Sequence, residues 1–137
     1  MHEYTVSAMK QVQFFYLSWN NSVYTAVYNE FGVTSEADGY RLKISGYWTN
    51  STLPNSMNYH NKRRFKSRGR CYQNEVCICT TNGRNGWWHD NCWEANPNGK
   101  YRTVQQDGSG VIGWKGVPGY SDYYAFKQAH VLIGSMD

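Results

Sequence analysis

The chain has 137 residues, 40% of them hydrophobic and 17% aromatic, including 12 Tyr and 6 Trp. This length suits one domain with one core, and no apolar run of about 18 residues is present to span a membrane. The formal charge is +4, and the aromatic content predicts a small β or α+β domain whose core contains large, partly polar rings.

The predicted strands lie towards the two ends of the chain. Residues 12–19 form an apolar run that ends at the turn-prone residues 20–22, and a second apolar run, residues 23–31, follows at once. These runs predict an antiparallel hairpin. Apolar and polar side chains alternate over residues 40–45, which predicts a strand with one buried and one wet face. Residues 123–133 predict a last strand, and a change of apolar parity within it predicts a bulge or two short strands.

The middle of the chain, residues 46–119, is too long for a plain connection. All four cysteines lie in it: Cys71, Cys77, Cys79 and Cys92. Two disulfides would stabilise this segment by about 2–3 kcal/mol each. A zinc site from the last three cysteines and His89 is the alternative. The single residue between Cys77 and Cys79 is shorter than the usual zinc spacing, which favours disulfides.

Disulfides also indicate an oxidising compartment. Asn20 and Asn50 each begin an N-x-S/T sequence, which is compatible with N-glycosylation of a secreted protein. Residues 1–10 lack the apolar segment of a secretory signal, so we expect the chain to be a fragment, an incomplete gene model or a short form.

A basic run precedes the first cysteine. Six positive charges lie within nine positions: Lys62, Arg63, Arg64, Lys66, Arg68 and Arg70. The run is compatible with a patch for heparin-like glycan or another polyanion. A solvated basic loop is the favoured interpretation, because a charge run alone binds anions weakly.

Residues 85–101, NGWWHDNCWEANPNGKY, carry a Trp pair, a Cys shortly after it, then Asn-x-Asn-Gly and an aromatic residue. This pattern resembles the hallmark of fibrinogen C-terminal domains, in which a partner Cys stands thirteen positions before the second one; here that residue is Cys79. Residues 36–47, 56–61 and 113–126 are similar to further family segments in the same order. The resemblance implies a Cys79–Cys92 disulfide. We also expect Gly99 to adopt a backbone conformation closed to other residues.

The fold implied by this resemblance is α+β, with a twisted, mainly antiparallel sheet, short helices and a long disulfide-stapled loop region. We expect one partial fibrinogen C-terminal-like domain over residues 1–137 that lacks most of the family's first subdomain. The central sheet is expected at about 1–50 and 110–137, and the stapled binding loops at about 51–109. Loss of neighbouring elements is expected to expose an apolar edge around Phe14, Phe15 and Leu17.

The family's calcium loop places an Asp-x-Asp pattern after the residue that aligns with Phe65. In this chain Gly69 and Cys71 stand at the two Asp positions, and neither can supply a carboxylate oxygen to calcium. Two flanking arginines would repel the ion. We therefore predict no calcium and no other cofactor, with a Cys71–Cys77 bridge ordering the loop.

Sugar-binding members of the family resemble one another in an acetyl-binding pocket. Its Tyr, His and Tyr-Ala positions are occupied here by Gly83, Trp93 and residues 107–110, which argues against acetyl-sugar binding. Trp93 is placed either to stack on a sugar or merely to fill space. The candidate ligand contacts are His89, Asn91, Trp93 and Tyr101.

The order Trp-Trp-His-Asp-x-Cys is nearest to angiopoietin-related members, which act by binding proteins. We therefore predict an extracellular, secreted, non-catalytic recognition module that binds a protein receptor or a cell-surface ligand through its stapled loops. A glycan-binding lectin of innate immunity with a remodelled pocket is the alternative function.

Anionic glycan is a further predicted partner, whereas nucleic acid and membrane insertion are not predicted. Family members often multimerise through N-terminal segments, so the resemblance implies an oligomer formed through segments that are not present in this chain. Catalysis by Cys92, His89 and Asp90 is disfavoured, because neighbours in an extended segment point apart and a disulfide leaves no thiolate.

Overall fold

A computed structural model of the protein describes residues 9–67, 86–89, 92–100 and 111–134. Within them lie six strands, β1 (Lys10–Leu17), β2 (Val23–Val33), β3 (Leu42–Tyr47), β4 (Ala95–Asn96), β5 (Gly113–Trp114) and β6 (Gln128–Gly134), and two 3₁₀ helices, Glu36–Asp38 and Ser56–His60. No helix in these ranges is long and apolar enough to cross a membrane.

The four longer strands form one antiparallel sheet in the order β3-β2-β1-β6. The predicted hairpin is confirmed: β1 and β2 pair from Leu17 opposite Val23 outward, and the turn is closed by the Ser18 amide donating to the Ser22 carbonyl at 3.0 Å. Strands β4 and β5 form a separate two-stranded ladder. The mainly antiparallel architecture with short helices is therefore as expected.

Strict alternation directs one face of β1 into the core. Val12, Phe14 and Tyr16 are buried, while Phe15 and Leu17 point to the opposite face and stay half-buried. The expectation that Phe14 lies on an exposed edge was therefore wrong, because its parity places it inside. Phe15 and Leu17 do line a shallow groove of about 400 Å³ on the outer face.

The core between the sheet and the loops is aromatic. The ring of Trp114 lies 5.3 Å from those of both Phe14 and Tyr16, and the Tyr16 ring lies 5.1 Å from that of Phe126. The Tyr16 hydroxyl donates to the Gly113 carbonyl at 2.9 Å. Tilted and edge-on aromatic pairs each contribute about 0.5–1.5 kcal/mol beyond their buried area, so this cluster anchors the β4–β5 loops on the sheet.

The last strand starts later than predicted. β6 begins at Gln128, and the preceding residues form turns and a loop that inserts Phe126 into the core. The apolar side chains shift from even-numbered to odd-numbered positions within this segment. This shift marks the start of the strand and not a bulge or a second strand. Among the described residues β6 is one of the two edge strands of this sheet, the other being β3, and its Val131, Leu132 and Ile133 are 41%, 57% and 55% exposed.

Candidate functional site

The double-tryptophan segment is held by Lys66. The backbones of Lys66 and Trp87 exchange two hydrogen bonds of 2.9 Å, and the Lys66 ammonium donates to the His89 carbonyl at 2.6 Å. Because Lys66 is only 9% exposed, it is a buried anchor of this segment. Its predicted membership of a surface patch was wrong.

The other residues of the basic run differ in exposure and pairing. Lys62 and Arg63 are exposed, whereas Arg64 lies 3.8 Å from the carboxylate of the buried Asp38. Arg41 pairs with the same carboxylate at 3.1 Å. Hydrogen bonding from Arg41 is the main cause that lowers the pKa of Asp38. Since Arg68 and Arg70 lie outside the described residues, the described part of the run presents two exposed cations and not a continuous patch.

Both tryptophan rings pack towards the sheet. The Trp88 indole donates to the Tyr40 carbonyl at 2.8 Å and meets Phe31 of β2 and Phe65 edge-on at 6.0 and 5.4 Å. Trp87 is 5% exposed and contacts Trp88 at 4.9 Å. The pair therefore joins the loop layer to β2.

His60 connects three segments from a fully buried position. Its Nδ1 lies 2.8 Å from the Trp88 carbonyl, and its Nε2 accepts hydrogen bonds from the amides of Glu94 and Ala95 at 3.1 and 3.2 Å. An Nε2 that accepts two N–H groups must be unprotonated, so the neutral ring carries its proton on Nδ1. Burial is the main cause that lowers the pKa of His60 to about 4.

Trp93 packs inside the molecule. It is 3% exposed, and a Cβ at Gly113 would lie 2.3 Å from its ring, so the indole lies directly on the glycine backbone. The Tyr123 ring meets it edge-on at 5.9 Å. This burial matches the space-filling interpretation of Trp93 and leaves little of the indole for stacking on a sugar.

A lysine and an exposed tyrosine lie over the Trp93 ring. The Lys115 ammonium is 5.4 Å from the centre of the Trp93 ring and 4.9 Å from that of Tyr123, and Tyr123 is 46% exposed. We call Trp93, Lys115 and Tyr123 the Trp93 cluster. The sequence reasoning missed Lys115 and Tyr123 as site residues, because the cation–π geometry depends on segments far apart in the chain.

Of the other candidate ligand contacts, one is buried and two lie outside the described residues. His89 is 1% exposed, and its Nδ1 lies 3.1 Å from the Cys92 carbonyl, so its ring packs inside. Asn91 and Tyr101 lie outside the described residues, and their ligand contacts stay predictions.

Cys92 is in a disulfide. Its predicted partner Cys79 and the predicted pair Cys71–Cys77 lie outside the described residues, so both pairings stay predictions.

The Asn-x-Asn-Gly sequence acts through close packing. The buried Asn96 amide donates to the Val111 carbonyl at 3.0 Å. A Cβ at Gly99 would lie 2.0 Å from that same carbonyl oxygen, yet the backbone of Gly99 is not in the left-handed region. The expectation of a special conformation was wrong, because the glycine is required by the close approach of another chain segment.

Residues 1–135 match the family of fibrinogen beta and gamma chains, C-terminal globular domain. The chain belongs to this family. Among curated relatives of this fibrinogen C-terminal domain, tenascin-R of Rattus norvegicus is 35% identical over 92 residues, which cover 66% of this chain and 7% of the relative. Protein scabrous of Drosophila melanogaster is 31% identical over 101 residues, covering 74% and 12%. The fibrinogen beta chain of Petromyzon marinus is 28% identical over 156 aligned residues, covering 93% and 32%.

Solved structures agree with the fold of a fibrinogen C-terminal domain. The fibrinogen-like globe domain of human ANGPTL6 superimposes with a TM-score of 0.81 at 22% identity, covering 95% of this chain and 58% of that one. Lamprey fibrin D-dimer, complexed with the peptide ligand Gly-His-Arg-Pro-amide, gives 0.76 at 20% identity, covering 93% and 46%. The chain thus spans less than two thirds of each of these relatives and neighbours.

The calcium positions of this fibrinogen C-terminal domain, Gly69 and Cys71, lie outside the described residues. Within the described ranges, no group of three or more His, Cys, Asp or Glu side chains is arranged to hold a metal ion. The prediction that the domain lacks calcium therefore still depends on the sequence alone, where the donor atoms do not fit a hard cation.

Proposed function

We propose that this fibrinogen-related domain is an extracellular recognition module that binds a protein ligand through the Trp93 cluster and acts without catalysis. The observation that carries the proposal is the exposed Tyr123 ring, supported from below by buried Trp93 and flanked by the Lys115 ammonium. Tyrosine offers a large contact area at a small cost in side-chain entropy, and exposed aromatics supported by rigid packing are typical centres of protein interfaces.

The surroundings of the cluster support a preformed surface. The Lys115 amide donates to the Glu94 carbonyl at 2.8 Å, next to the amides that bind His60. Strands β4 and β5 pair Ala95 with Trp114 directly beneath. A ligand would therefore meet side chains whose backbones are already fixed, which lowers the entropic cost of binding.

A protein ligand is favoured over a sugar for two reasons. The fold is shared with lamprey fibrin, which is seen with a peptide ligand, and the buried Trp93 presents no open ring face. Because Lys115 places a positive charge beside the exposed Tyr123 ring, we expect this chain to prefer a segment with an acidic or apolar side chain.

Binding without catalysis is supported by the state of the candidate reactive groups. Cys92 is in a disulfide and has no thiolate to offer. Both ring nitrogens of His60 and Nδ1 of His89 are engaged by backbone groups.

The binding test uses the labelled, secreted chain on cultured cells and on extracellular matrix. Tyr123→Ala and Lys115→Gln are expected to weaken binding about tenfold or more. The matched control is Tyr40→Ala, because Tyr40 is also 46% exposed but lies away from the cluster. Protease treatment of the cells should abolish binding. Loss on glycosidase treatment instead, with Tyr123→Ala binding normally, would favour the lectin alternative and contradict the proposal.

We further propose the pairings Cys79–Cys92 and Cys71–Cys77. Mass mapping of the oxidised protein should recover both linked peptides, and each bond is expected to contribute about 2–3 kcal/mol. Recovery of Cys79 with a free thiol would contradict the first pairing.

A further inference from the structure

A large apolar side chain is exposed where β3 ends. Trp48 follows β3 directly and is 40% exposed. Its amide donates to the Val27 carbonyl at 2.9 Å, and its indole Nε1 donates to the Asn29 side chain at 2.7 Å. The ring is therefore held in one orientation with much of its surface in water, which is unfavourable unless something covers it.

The next residues form an acceptor sequence for N-glycosylation. Asn50-Ser51-Thr52 begins in a turn closed by the Ser51 amide donating to the Trp48 carbonyl at 2.9 Å. Hydroxyls of Ser51 and Thr52 accept from β2 amides at 3.2 and 2.7 Å. The Asn50 side chain is exposed and makes no hydrogen bond within the described residues. The turn is thus rigid, and the asparagine at its tip is accessible.

At the other acceptor sequence the asparagine side chain is hydrogen-bonded, and no exposed aromatic ring stands two positions before it. At Asn20, the side-chain oxygen is bound by the Ser18 hydroxyl and accepts from the Ser22 amide at 3.2 Å. The residue two positions before it is Ser18, which is fully buried. Only at Asn50 does an exposed aromatic ring stand two positions before the acceptor.

We propose that Asn50 carries an N-linked glycan whose first N-acetylglucosamine packs on the exposed indole of Trp48. In the transfer, Asn50 Nδ2 forms a bond to the anomeric carbon of a lipid-pyrophosphate-linked oligosaccharide. The bond from that carbon to the pyrophosphate oxygen breaks, the lipid pyrophosphate leaves with the electron pair, and the amide loses one proton. The inference depends on the proposed extracellular function, since the donor is met on the secretory route.

The geometry allows the contact. The α-carbons of residues two apart are at most about 7 Å apart, which is within reach of a sugar attached to the asparagine. The C–H groups on one face of the sugar would cover the apolar ring, as aromatic faces do in other buried contacts. The glycan would then stabilise the turn as well as shield an exposed apolar side chain.

The test expresses the full 137-residue chain behind a secretion signal in animal cells. We expect glycopeptide mapping to find the glycan at Asn50, its loss in Asn50→Gln and its retention in Asn20→Gln. Trimming the glycan to the first N-acetylglucosamine should leave Tm unchanged. The trimmed protein should melt about 3 °C higher than Asn50→Gln.

The role of the ring is tested by repeating that comparison in two backgrounds. The Tm difference should disappear in Trp48→Ala and persist in Trp48→Phe, which keeps an aromatic face. Secreted protein that is bare at Asn50 would overturn the modification site and leave the recognition proposal intact. A Tm difference retained in Trp48→Ala would overturn the ring contact. Chain that enters the secretory route but is neither glycosylated nor released would overturn both proposals.

Discussion

His60 shows how one buried side chain couples several loops. Its two ring nitrogens bind backbone groups of the Trp88 segment and of Glu94 and Ala95. A second proton would break the two hydrogen bonds that Nε2 accepts. The folded protein therefore resists protonation of this ring, and burial lowers its pKa to about 4.

This pKa predicts acid destabilisation. Between about pH 6.5, the usual value for an unfolded His, and pH 4, the unfolded chain binds a proton that the folded chain does not. The contribution of neutral His60 is thus complete above pH 6.5 and is lost as the pH falls to about 4. Urea titrations across this range should show the free energy of unfolding decreasing by up to about 3 kcal/mol.

The control separates His60 from other groups. His60→Gln should be less stable and should flatten the profile over that range, whereas His130→Gln, at an exposed site on β6, should not flatten it. The loss associated with Asp38, whose pKa is lowered, falls at a more acidic pH. A wild-type profile that is flat between pH 6.5 and 4 would contradict the assignment.

Gly113 is a position at which one added methyl group would disturb the packing. A methyl group there would lie 2.3 Å from the Trp93 ring, and the ring is enclosed. We expect Gly113→Ala to reduce stability by about 2–3 kcal/mol and to weaken ligand binding by displacing the Trp93 cluster. In Gly134→Ala the added methyl group meets nothing within 4 Å, so thermal unfolding of this variant should match the wild type.

These residues also mark the limit of sequence reasoning at the residue scale. The sequence left open whether Trp93 stacks on a ligand or fills space, because the answer depends on Gly113, twenty positions away. His60 lay within a segment similar to the family, yet nothing in that segment distinguishes a buried hub from a surface histidine. Long-range contacts decided both cases.

At the scale of elements, the hairpin and β3 could be predicted because their signals are local. Alternation places Leu42 and Ile44 inward, and a turn sequence separates β1 from β2. The start of β6 could not be predicted from the sequence, because Tyr124 and Phe126 have the two-residue spacing that apolar side chains have in a strand. They are buried or half-buried through a loop that follows the core. An alternating apolar pattern reflects the burial of alternate side chains. Here tertiary packing buries these side chains in a loop, without a strand.

The loop after Phe65 yields a prediction about calcium. Gly69 and Cys71 provide no carboxylate where the family places its Asp pair. We therefore expect millimolar calcium, or a chelator, to leave Tm unchanged in differential scanning calorimetry. A calcium-loaded relative with an intact Asp-x-Asp loop is the matched control and should lose stability on chelation. A rise in Tm with calcium that saturates at micromolar concentrations would show that other oxygens hold the ion.

For the whole molecule, the exposed edge of β6 has the largest consequence. Its sequence, Gln-Ala-His-Val-Leu-Ile-Gly, contains no Lys, Arg, Asp, Glu or Pro, so it has none of the charged or proline residues that commonly protect edge strands. Three successive apolar side chains are more than 40% exposed. Uncharged apolar edges of this kind are ready to pair with another strand.

We therefore predict that the 137-residue chain, studied alone, self-associates at tens of micromolar through the β6 edge. Leu132→Lys should shift it to monomer in sedimentation velocity, because two lysines would face each other across a paired edge. Val23→Lys is the matched control: Val23 is 61% exposed on the same outer face, but its strand lies inside the sheet, so the variant should associate like the wild type. Equal effects of both substitutions would place the contact on the sheet face, and a monodisperse wild type would show that the edge is protected.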